Sequence, residues 1–156
     1  MKKEAIDLSD PKASGYTLAQ LSVEEFHDFW PQISRELDLI PHTWKYWTKE
    51  YIVSAVEMGS LVVWGIGPPP DAVFMFFTQV CMYPVGRVLT VPLGFGKFDP
   101  QMLPLLDATL TQYAQIQDCG SIEIRGRLGW EKHFHPIGFK REAMVMTRRV
   151  VNMRIN

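Results

Sequence analysis

Residues 94–100 read GFGKFDP, and this short stretch marks a junction between a strand and a helix. Asp99 followed by Pro100 is typical of a helix start, because an aspartate side chain caps free N–H groups and proline is favoured at the first helical position. Residues 87–93, just before the glycines, have the composition of a strand. After the junction, apolar residues recur at helical spacing on one face: Met102, Leu106, Leu110 and Tyr113.

The segments after this helix complete a crossover. Gly120 is predicted to close the helix, and residues 121–125 (SIEIR) are predicted to form a strand. A strand, a helix and a strand in this order predict a parallel pair formed by residues 87–93 and 121–125. A short helix over residues 128–135 and a long strand over residues 139–150 are predicted to follow.

Upstream of the junction, the sequence predicts two helices and an antiparallel meander. Ser22 and Glu25 have the spacing of a capping box at the start of the first helix. Pro31 lies inside that helical pattern and predicts a kink or a division into two short helices. The second helix is predicted over residues 48–58, with Gly59 as its stop. The meander comprises strands over residues 61–64, 72–82 and 87–93, with turns over residues 67–71 and 83–86.

Together these elements predict an α/β (α+β) domain with a mixed, mostly antiparallel sheet of six or seven strands flanked by helices. Residues 1–15 are polar, which predicts a mobile N-terminal arm before a single domain over residues 16–156.

Length, charge and cysteine content restrict the class of protein. The 156 residues fit one domain, and 16 basic against 17 acidic residues give a net charge of −1. Such a balance gives no general attraction to nucleic acid or to an anionic membrane. No stretch reaches the ~18 apolar residues of a spanning helix, and the N-terminus does not resemble a signal peptide. Cys81 and Cys119 are too few for a disulfide framework, so a reducing, cytoplasmic setting is expected.

The glycines at the junction have two interpretations. Gly94 and Gly96 allow close backbone approach, the following helix start directs N–H groups to the same place, and Lys97 adds a positive charge. Together these features predict a phosphate or pyrophosphate site. The alternative is a plain strand-to-helix turn that needs two glycines.

The order of elements resembles that of the GNAT superfamily of N-acetyltransferases over roughly residues 20–150. The resemblance is most specific in residues 113–150, YAQIQDCGSIEIRGRLGWEKHFHPIGFKREAMVMTRRV, where helix, strand, short helix and a Gly-Phe before the last strand follow one another. The amino-acid pattern of this segment is also similar to that of small GNAT-like proteins encoded by bacteriophages.

The resemblance implies binding of acetyl-CoA as co-substrate in a splay between residues 87–93 and 121–125. Backbone amides near Val91 would bind its pantetheine arm, a backbone amide of the strand ending at Leu93 would bind the developing oxyanion, and the Gly94–Lys97 loop would take the pyrophosphate. The cofactor-binding residues implied are Val91, Leu93, Gly94, Phe95, Gly96 and Lys97.

Two functions follow from the resemblance. The first is transfer of an acetyl group from acetyl-CoA to an amine. The second is a non-catalytic GNAT-like protein that acts as an interaction module, such as a structural or accessory component of a phage assembly. The location would be a host cytoplasm or a virion, and a homo-oligomer is left open.

The candidate catalytic residues are Glu123, His133 and His135. Glu123 alternates with Ile122 and Ile124, so it faces away from them, either toward a cleft as a base or toward water. The spacing of His133 and His135, with no other ligand nearby, does not favour a metal site, and at most one of them is a cleft acid or base.

The sequence departs from the family pattern at two points. Val91 occupies the place of an Arg or Gln in the phosphate loop, and no tyrosine follows Tyr113 to act as an acid. Trp130 and Phe134, spaced i, i+4, are typical of core packing.

Two surface features have alternative interpretations. An aromatic segment over residues 26–51 predicts an acceptor pocket or a protein interface. A basic cluster predicts a site for the CoA 3′-phosphate, a site for nucleic acid, or a solvated face: Arg125, Arg127, Lys132, Lys140 and Arg141.

Overall fold

The computed structural model describes residues 15–40, 47–67, 72–126, 130–142, 148 and 150. A five-stranded mixed sheet forms the centre of this part of the chain. Its strands, in the order in which they lie side by side, are β1 (Thr17–Gln20), β2 (Val62–Gly67), β3 (Phe74–Tyr83), β4 (Gly86–Gly96) and β5 (Ser121–Ile124). Neighbouring strands are antiparallel except β4 and β5, which are parallel. The predicted fold class and the predicted parallel pair are confirmed.

The number of strands and the predicted final strand differ from what the described residues show. Six or seven strands were expected, and the described residues form five. The predicted final strand begins at Phe139, but residues 139–142 form no strand, and most of residues 143–150 lie outside the described residues. The predicted turn over residues 67–71 lies there too, apart from Gly67, which ends β2.

Four helices accompany the sheet in the described part of the chain: α1 (Val23–Asp38), α2 (Lys49–Glu57), α3 (Leu103–Ile116) and α4 (Glu131–Phe134). The capping box is confirmed, because the Glu25 N–H donates to Ser22 Oγ at 3.1 Å and the Ser22 N–H donates to Glu25 Oε1 at 2.9 Å. The expectation that Pro31 divides α1 in two is wrong. Phe26 and Ile33 are fully buried on either side of Pro31, so packing against the sheet keeps α1 one helix.

The predicted helix start at Asp99 is confirmed. Its Oδ1 accepts a hydrogen bond from the Gln101 N–H at 3.0 Å, and a 3₁₀ turn (Pro100–Met102) leads into α3. The predicted stop at Gly120 is wrong. Asp118 has the left-handed conformation, with φ of 56°, because a short polar side chain tolerates this region and the chain has already left α3.

The sheet separates two apolar cores. The core on one face, called here the α1–α2 core, contains Phe26, Ile33, Leu37, Ile52, Val56, Val63, Met75, Phe77, Leu93 and Phe95. The core on the other face, called the α3 core, contains Trp64, Ile66, Phe74, Phe76, Leu89, Val91, Met102, Leu106, Leu110 and Phe134. Within the described residues no helix is long and apolar enough to cross a bilayer.

A β-bulge interrupts the pairing of β3 with β4. One residue of β3, Thr78, lies opposite two residues of β4, Val91 and Pro92, because the register passes from the pair Gln79–Thr90 to the pair Phe77–Leu93. The extra residue reverses the faces of β4: Val91 belongs to the α3 core, whereas Leu93 belongs to the α1–α2 core. Proline is tolerated at such a position because a bulge leaves a residue unpaired.

Candidate functional site

The parallel strands β4 and β5 part directly after the bulge. Their register ends with the pair Val91–Ile124, and the Arg125 N–H donates to the Val91 carbonyl at 3.0 Å. Beyond that bond β4 continues to Gly96 without a strand on its β5 side in the part of the chain that is described. We call the gap between residues 92–96 and residues 125–126 the β4–β5 wedge. A bulge beside a parting strand pair is a common device at functional sites, because it redirects backbone groups.

The indole of Trp130 lies across this wedge. A Cβ built on Gly126 would be 2.5 Å from Trp130 Cε3, and one built on Gly94 would be 2.9 Å from Trp130 Cη2. Neither distance leaves room for a side chain. The indole can therefore lie in this position only because residues 94 and 126 are both glycines. The strand ends therefore contact one aromatic ring system from two sides.

Other aromatic rings surround this indole on the α3 face. Trp130 lies 6.2 Å from Phe98, 6.1 Å from Phe74 and 5.9 Å from Phe134 between ring centroids. Only a small apolar cavity of about 10 Å³ remains between these rings and α3, which is room for at most one water. The α3 face of the wedge is thus filled by the chain's own side chains.

Residues 94–96 of the predicted phosphate loop belong to a strand, which corrects their assignment to a loop, and binding of a phosphate at residues 94–97 stays a prediction. Gly94 and Gly96 belong to β4, Gly96 pairs with Phe74, and the Lys97 N–H donates to the Val73 carbonyl at 2.8 Å. Gly96 has φ of 100°, and a Cβ there would be 2.5 Å from the Val73 carbonyl oxygen. Strand pairing therefore accounts for Gly96, and the Lys97 side chain is exposed.

The helix start beyond this strand already holds a negative charge. The Asp99 carboxylate accepts hydrogen bonds from the Gln101 N–H and, at 2.7 Å, from the Tyr16 hydroxyl. The bond from Gln101, then that from Tyr16 and the charge of Lys97, lower the pKa of Asp99. The hydrogen bond to Asp99 raises the pKa of Tyr16. A phosphate at this helix start would have to compete with a carboxylate.

The three other predicted cofactor-binding residues have buried side chains. Val91 packs in the α3 core, and Leu93 and Phe95 pack in the α1–α2 core. Any contact of these residues with a ligand in the wedge is therefore limited to their backbone groups.

Glu123 faces away from the α3 core, as its alternation with Ile122 and Ile124 predicts. Its carboxylate is 42% exposed and accepts a hydrogen bond from Arg125 Nε at 3.0 Å. That bond is the main cause of the raised pKa of Arg125. The basic cluster contains a second pair, in which Arg141 contacts Glu131, while Arg127 lies outside the described residues.

The two histidines lie apart from Glu123. His133 is on α4, with its ring 5.8 Å from Phe98 on the α3 face. His135 is exposed and begins a 3₁₀ turn, His135–Ile137. Among the described residues, no three or more His, Cys, Asp and Glu side chains are grouped so that they could hold a metal ion.

One aromatic residue of the segment over residues 26–51, Trp30, lines a different surface. A groove of about 520 Å³ between α1 and α2 is lined by Trp30, Lys49, Glu50, Val53, Ser54 and Glu57. Polar contacts join the two helices at both ends: His27 Nε2 lies 3.2 Å from Glu57 Oε1, and Lys49 forms an ion pair with Asp38 at 2.7 Å. Phe26 is buried, and Trp44 and Tyr46 lie outside the described residues.

Sequence reasoning missed the bulge and the position of Trp130. Pro92 inside a strand was a signal for the bulge, because proline within a sheet is restricted to edges, strand starts and bulges. Gly94 and Gly126 were signals for close approach of another group, although neither identifies Trp130 as that group.

No family model matches the sequence, and no curated protein matches it. Solved structures match its fold. A ribosomal-protein-alanine N-acetyltransferase from Brucella melitensis biovar Abortus has a TM-score of 0.62 at 15% identity, over 87% of this chain and 99% of that one. An aminoglycoside acetyltransferase from a soil metagenome has 0.65 at 10% identity, over 88% and 97%. A predicted acetyltransferase from Clostridium acetobutylicum, solved with acetyl-CoA, has 0.63 at 11%, over 85% and 96%.

The chain has the GNAT fold. At such low identity the likeness establishes the fold alone, and the activity has to be argued from the site.

Proposed function

We propose that this GNAT-fold protein transfers an acetyl group from acetyl-CoA to an amine. The observation that carries the proposal is the β4–β5 wedge, where β4 extends beyond its last pair with β5. A free strand edge binds extended ligands through backbone hydrogen bonds, and the pantetheine arm of CoA is an extended chain with amide groups. Val91 and Leu93 stand where this edge begins, so their backbone groups would hold the arm and the thioester.

The reaction needs a base next to the start of the wedge. The amine nitrogen attacks the thioester carbonyl carbon, the C–N bond forms, the C–S bond breaks, and the CoA thiolate leaves and takes a proton. The ammonium form of the amine must first lose a proton to a base. Glu123 is our first choice for this base. It pairs in register with Thr90, one residue before the wedge opens, and it faces away from the α3 core, where Trp130 and the rings around it lie.

His133 and His135 are the second choices. Both belong to the segment around α4, and His133 lies on the α3 face beside Phe98. This position is closer to a leaving thiol on the α3 side than to an amine that approaches from the face of Glu123.

The acceptor class follows only in general terms. Two of the three structures above carry different acceptors in their names, a ribosomal-protein alanine and an aminoglycoside. What these acceptors share is an amine, and the proposal for this chain is an amine.

Calorimetric titration with acetyl-CoA tests the co-substrate, and release of free thiol in the presence of a panel of amines tests turnover. The pH–rate profile then tests Glu123. A limb that reports deprotonation of the base should disappear in Glu123→Gln. It should persist in the matched control Glu131→Gln, because Glu131 is likewise an exposed glutamate paired with an arginine. A limb unchanged in Glu123→Gln would exclude Glu123 as the base, and no binding together with no turnover would exclude the enzyme.

A second function is a non-catalytic GNAT-fold protein that acts as an interaction module. Two observations favour it: Trp130 fills the wedge, and Asp99 occupies the helix start. Absence of bound CoA together with a stable assembly would support this function. None of the three structures above is named as a bacteriophage protein, so a phage assembly gains no support. A cytoplasmic location, a homo-oligomer and an N-terminal arm over residues 1–15 stay predictions.

A further inference from the structure

We infer that Trp130 determines whether an acyl-CoA enters the β4–β5 wedge: its indole closes the wedge and must move before the pantetheine arm can lie along β4. This inference rests on the proposed function, because it concerns the site that we assign to the co-substrate. It adds a specificity-determining residue that the sequence did not indicate.

The indole lies against both strand ends, so a ligand placed there would compete with it for space. Gly94 is three residues beyond the last β4–β5 pair, and Gly126 is two residues beyond it on the other strand. The indole approaches the Cα positions of both so closely that not even a methyl group fits at either. A ligand that lay between the strand ends would overlap the same ring.

The attachment of this indole differs from that of a core tryptophan. Trp64 is 1% exposed, and its Nε1–H donates to Thr78 Oγ1 at 2.8 Å. Trp130 is only half-buried, and its indole N–H has no hydrogen-bond partner within the described residues. Ring contacts with Phe74, Phe98 and Phe134 hold it. Such contacts can be exchanged for contacts with a ligand without leaving a buried polar group unpaired.

Two substitutions test separately whether ligand binding depends on the presence of the indole and on its position. Trp130→Ala removes the indole. Gly126→Ala retains the indole but forces it to move, because the new Cβ would lie 2.5 Å from its Cε3. Gly126 does not have a positive φ, so alanine is compatible with its backbone. Trp47→Ala is the matched control, because Trp47 is a half-buried tryptophan that packs against the α1–α2 core, 5.4 Å from the ring of Tyr51.

The experiment is calorimetric titration of the full chain and the three variants with acetyl-CoA, and separately with CoA. If the closed arrangement predominates, the apparent Kd equals the intrinsic Kd divided by the fraction of molecules in which the wedge is open. We expect Trp130→Ala and Gly126→Ala to lower Kd by about tenfold or more, the effect of a wedge that is open less than about a tenth of the time. Trp47→Ala should leave Kd unchanged. Near-ultraviolet circular dichroism establishes that each variant is folded.

Each outcome decides the inference. Tighter binding in both wedge variants supports it. Unchanged or weaker binding in both folded variants overturns it, and the proposed function stands if the parent binds acetyl-CoA. If Trp130→Ala does not fold, Gly126→Ala decides by the same comparison. If no variant binds, the inference and the proposed function both fail. Tighter binding without turnover of any amine supports the inference and counts against the enzyme.

Discussion

At the scale of single residues, Thr78 connects the core to the bulge. It lies opposite Val91 and Pro92, it is 1% exposed, and its hydroxyl oxygen accepts the hydrogen bond of the Trp64 indole at 2.8 Å. A buried indole N–H needs such a partner, since a buried donor without one costs free energy. Thr78 therefore fixes the largest side chain of the α3 core beside the residue pair where β4 changes faces.

We predict that Thr78→Val lowers the free energy of unfolding by about 1–3 kcal/mol, because it keeps the shape of the side chain but leaves the indole N–H unpaired. Urea denaturation measures the change. Thr109→Val is the matched control. Thr109 is also fully buried, but its hydroxyl is the donor, to the Leu105 carbonyl at 2.7 Å. Loss of the Thr109 hydroxyl leaves no N–H group unpaired, so the decrease in the free energy of unfolding should be smaller than for Thr78→Val. Equal losses in the two variants would contradict this account.

At the scale of elements, Gly96 is needed for strand pairing. From the sequence alone, Gly94→Val or Gly96→Val is expected to abolish CoA binding and leave the fold largely intact, but the structure overturns the second part for Gly96. Its φ of 100° and the nearby Val73 carbonyl exclude a side chain whether or not a ligand binds.

We therefore predict that Gly96→Ala lowers the free energy of unfolding by about 1–3 kcal/mol, the usual cost of a residue held in a disfavoured backbone region. The clash with the Val73 carbonyl should add to this loss. Thermal unfolding measures it. Gly120→Ala is the control, because no atom lies within 4 Å of a Cβ there and its φ is not positive. That variant should be unchanged or up to about 1 kcal/mol more stable. A stable Gly96→Ala protein would show that β4 ends before residue 96.

The start of α3 gives a pH-dependent prediction. The pKa of Asp99 is lowered from its ordinary value of 3.8, first by the Gln101 N–H and then by the Tyr16 hydroxyl. A lowered pKa in the folded state contributes stability above the unfolded value, and this contribution is lost as the pH falls through the folded value. Asp99 therefore contributes fully at neutral pH, and its contribution begins to decline near pH 4 and is lost as the pH falls through the folded pKa.

We predict that Tyr16→Phe raises the pKa of Asp99 toward its ordinary value, because it removes one of the two hydrogen bonds that favour the charged form. An NMR titration of the Asp99 carboxyl carbon measures the change. The parent protein, titrated under the same conditions, is the reference. An unchanged pKa for Asp99 would show that the Tyr16 bond does not form in solution.

The elements show why part of the fold could be predicted and part could not. The caps at Ser22, Thr48 and Asp99 depend on residues two or three positions away, so local spacing identified the starts of α1, α2 and the turn before α3. The bulge depends on the register of two strands, which a single sequence does not contain. Glycine spacing was ambiguous for the same reason: Gly96 and its contact residue Val73 are brought together only by pairing.

The candidate site was less predictable than the fold. The parallel pair followed from the order strand, helix, strand, and the orientation of Glu123 followed from its alternation with two isoleucines. The position of Trp130 depends on Gly94 and Gly126, which lie 36 and 4 residues before it in the sequence. Only folding brings these three residues together. Trp130 was predicted to pack in the core, and it does contact the α3 core, but at the wedge.

At the scale of the whole molecule, the sheet keeps the two cores apart. Ile52 of α2 and Ile66 of β2 are both fully buried, one in the α1–α2 core and the other in the α3 core. Side chains on opposite faces of a sheet share no packing contacts. Changes on the two faces should therefore act independently on stability, which matters because Trp130 and the α1–α2 groove lie on different faces.

We predict that Ile52→Val and Ile66→Val each lower the free energy of unfolding by about 0.5–1.5 kcal/mol, the usual cost of removing one buried methylene. Because distant sites add to within about 0.5 kcal/mol, the double variant should lose the sum of the two. Urea denaturation of the four proteins closes the cycle. The comparison cycle uses Ile33→Val with Ile52→Val, where both residues belong to the α1–α2 core and share packing partners, so a larger interaction energy is expected. A coupling across the sheet as large as that within one core would mean that the two faces respond as a single packing unit. In that case a ligand that displaced Trp130 on the α3 face would also disturb the packing of α1 and α2.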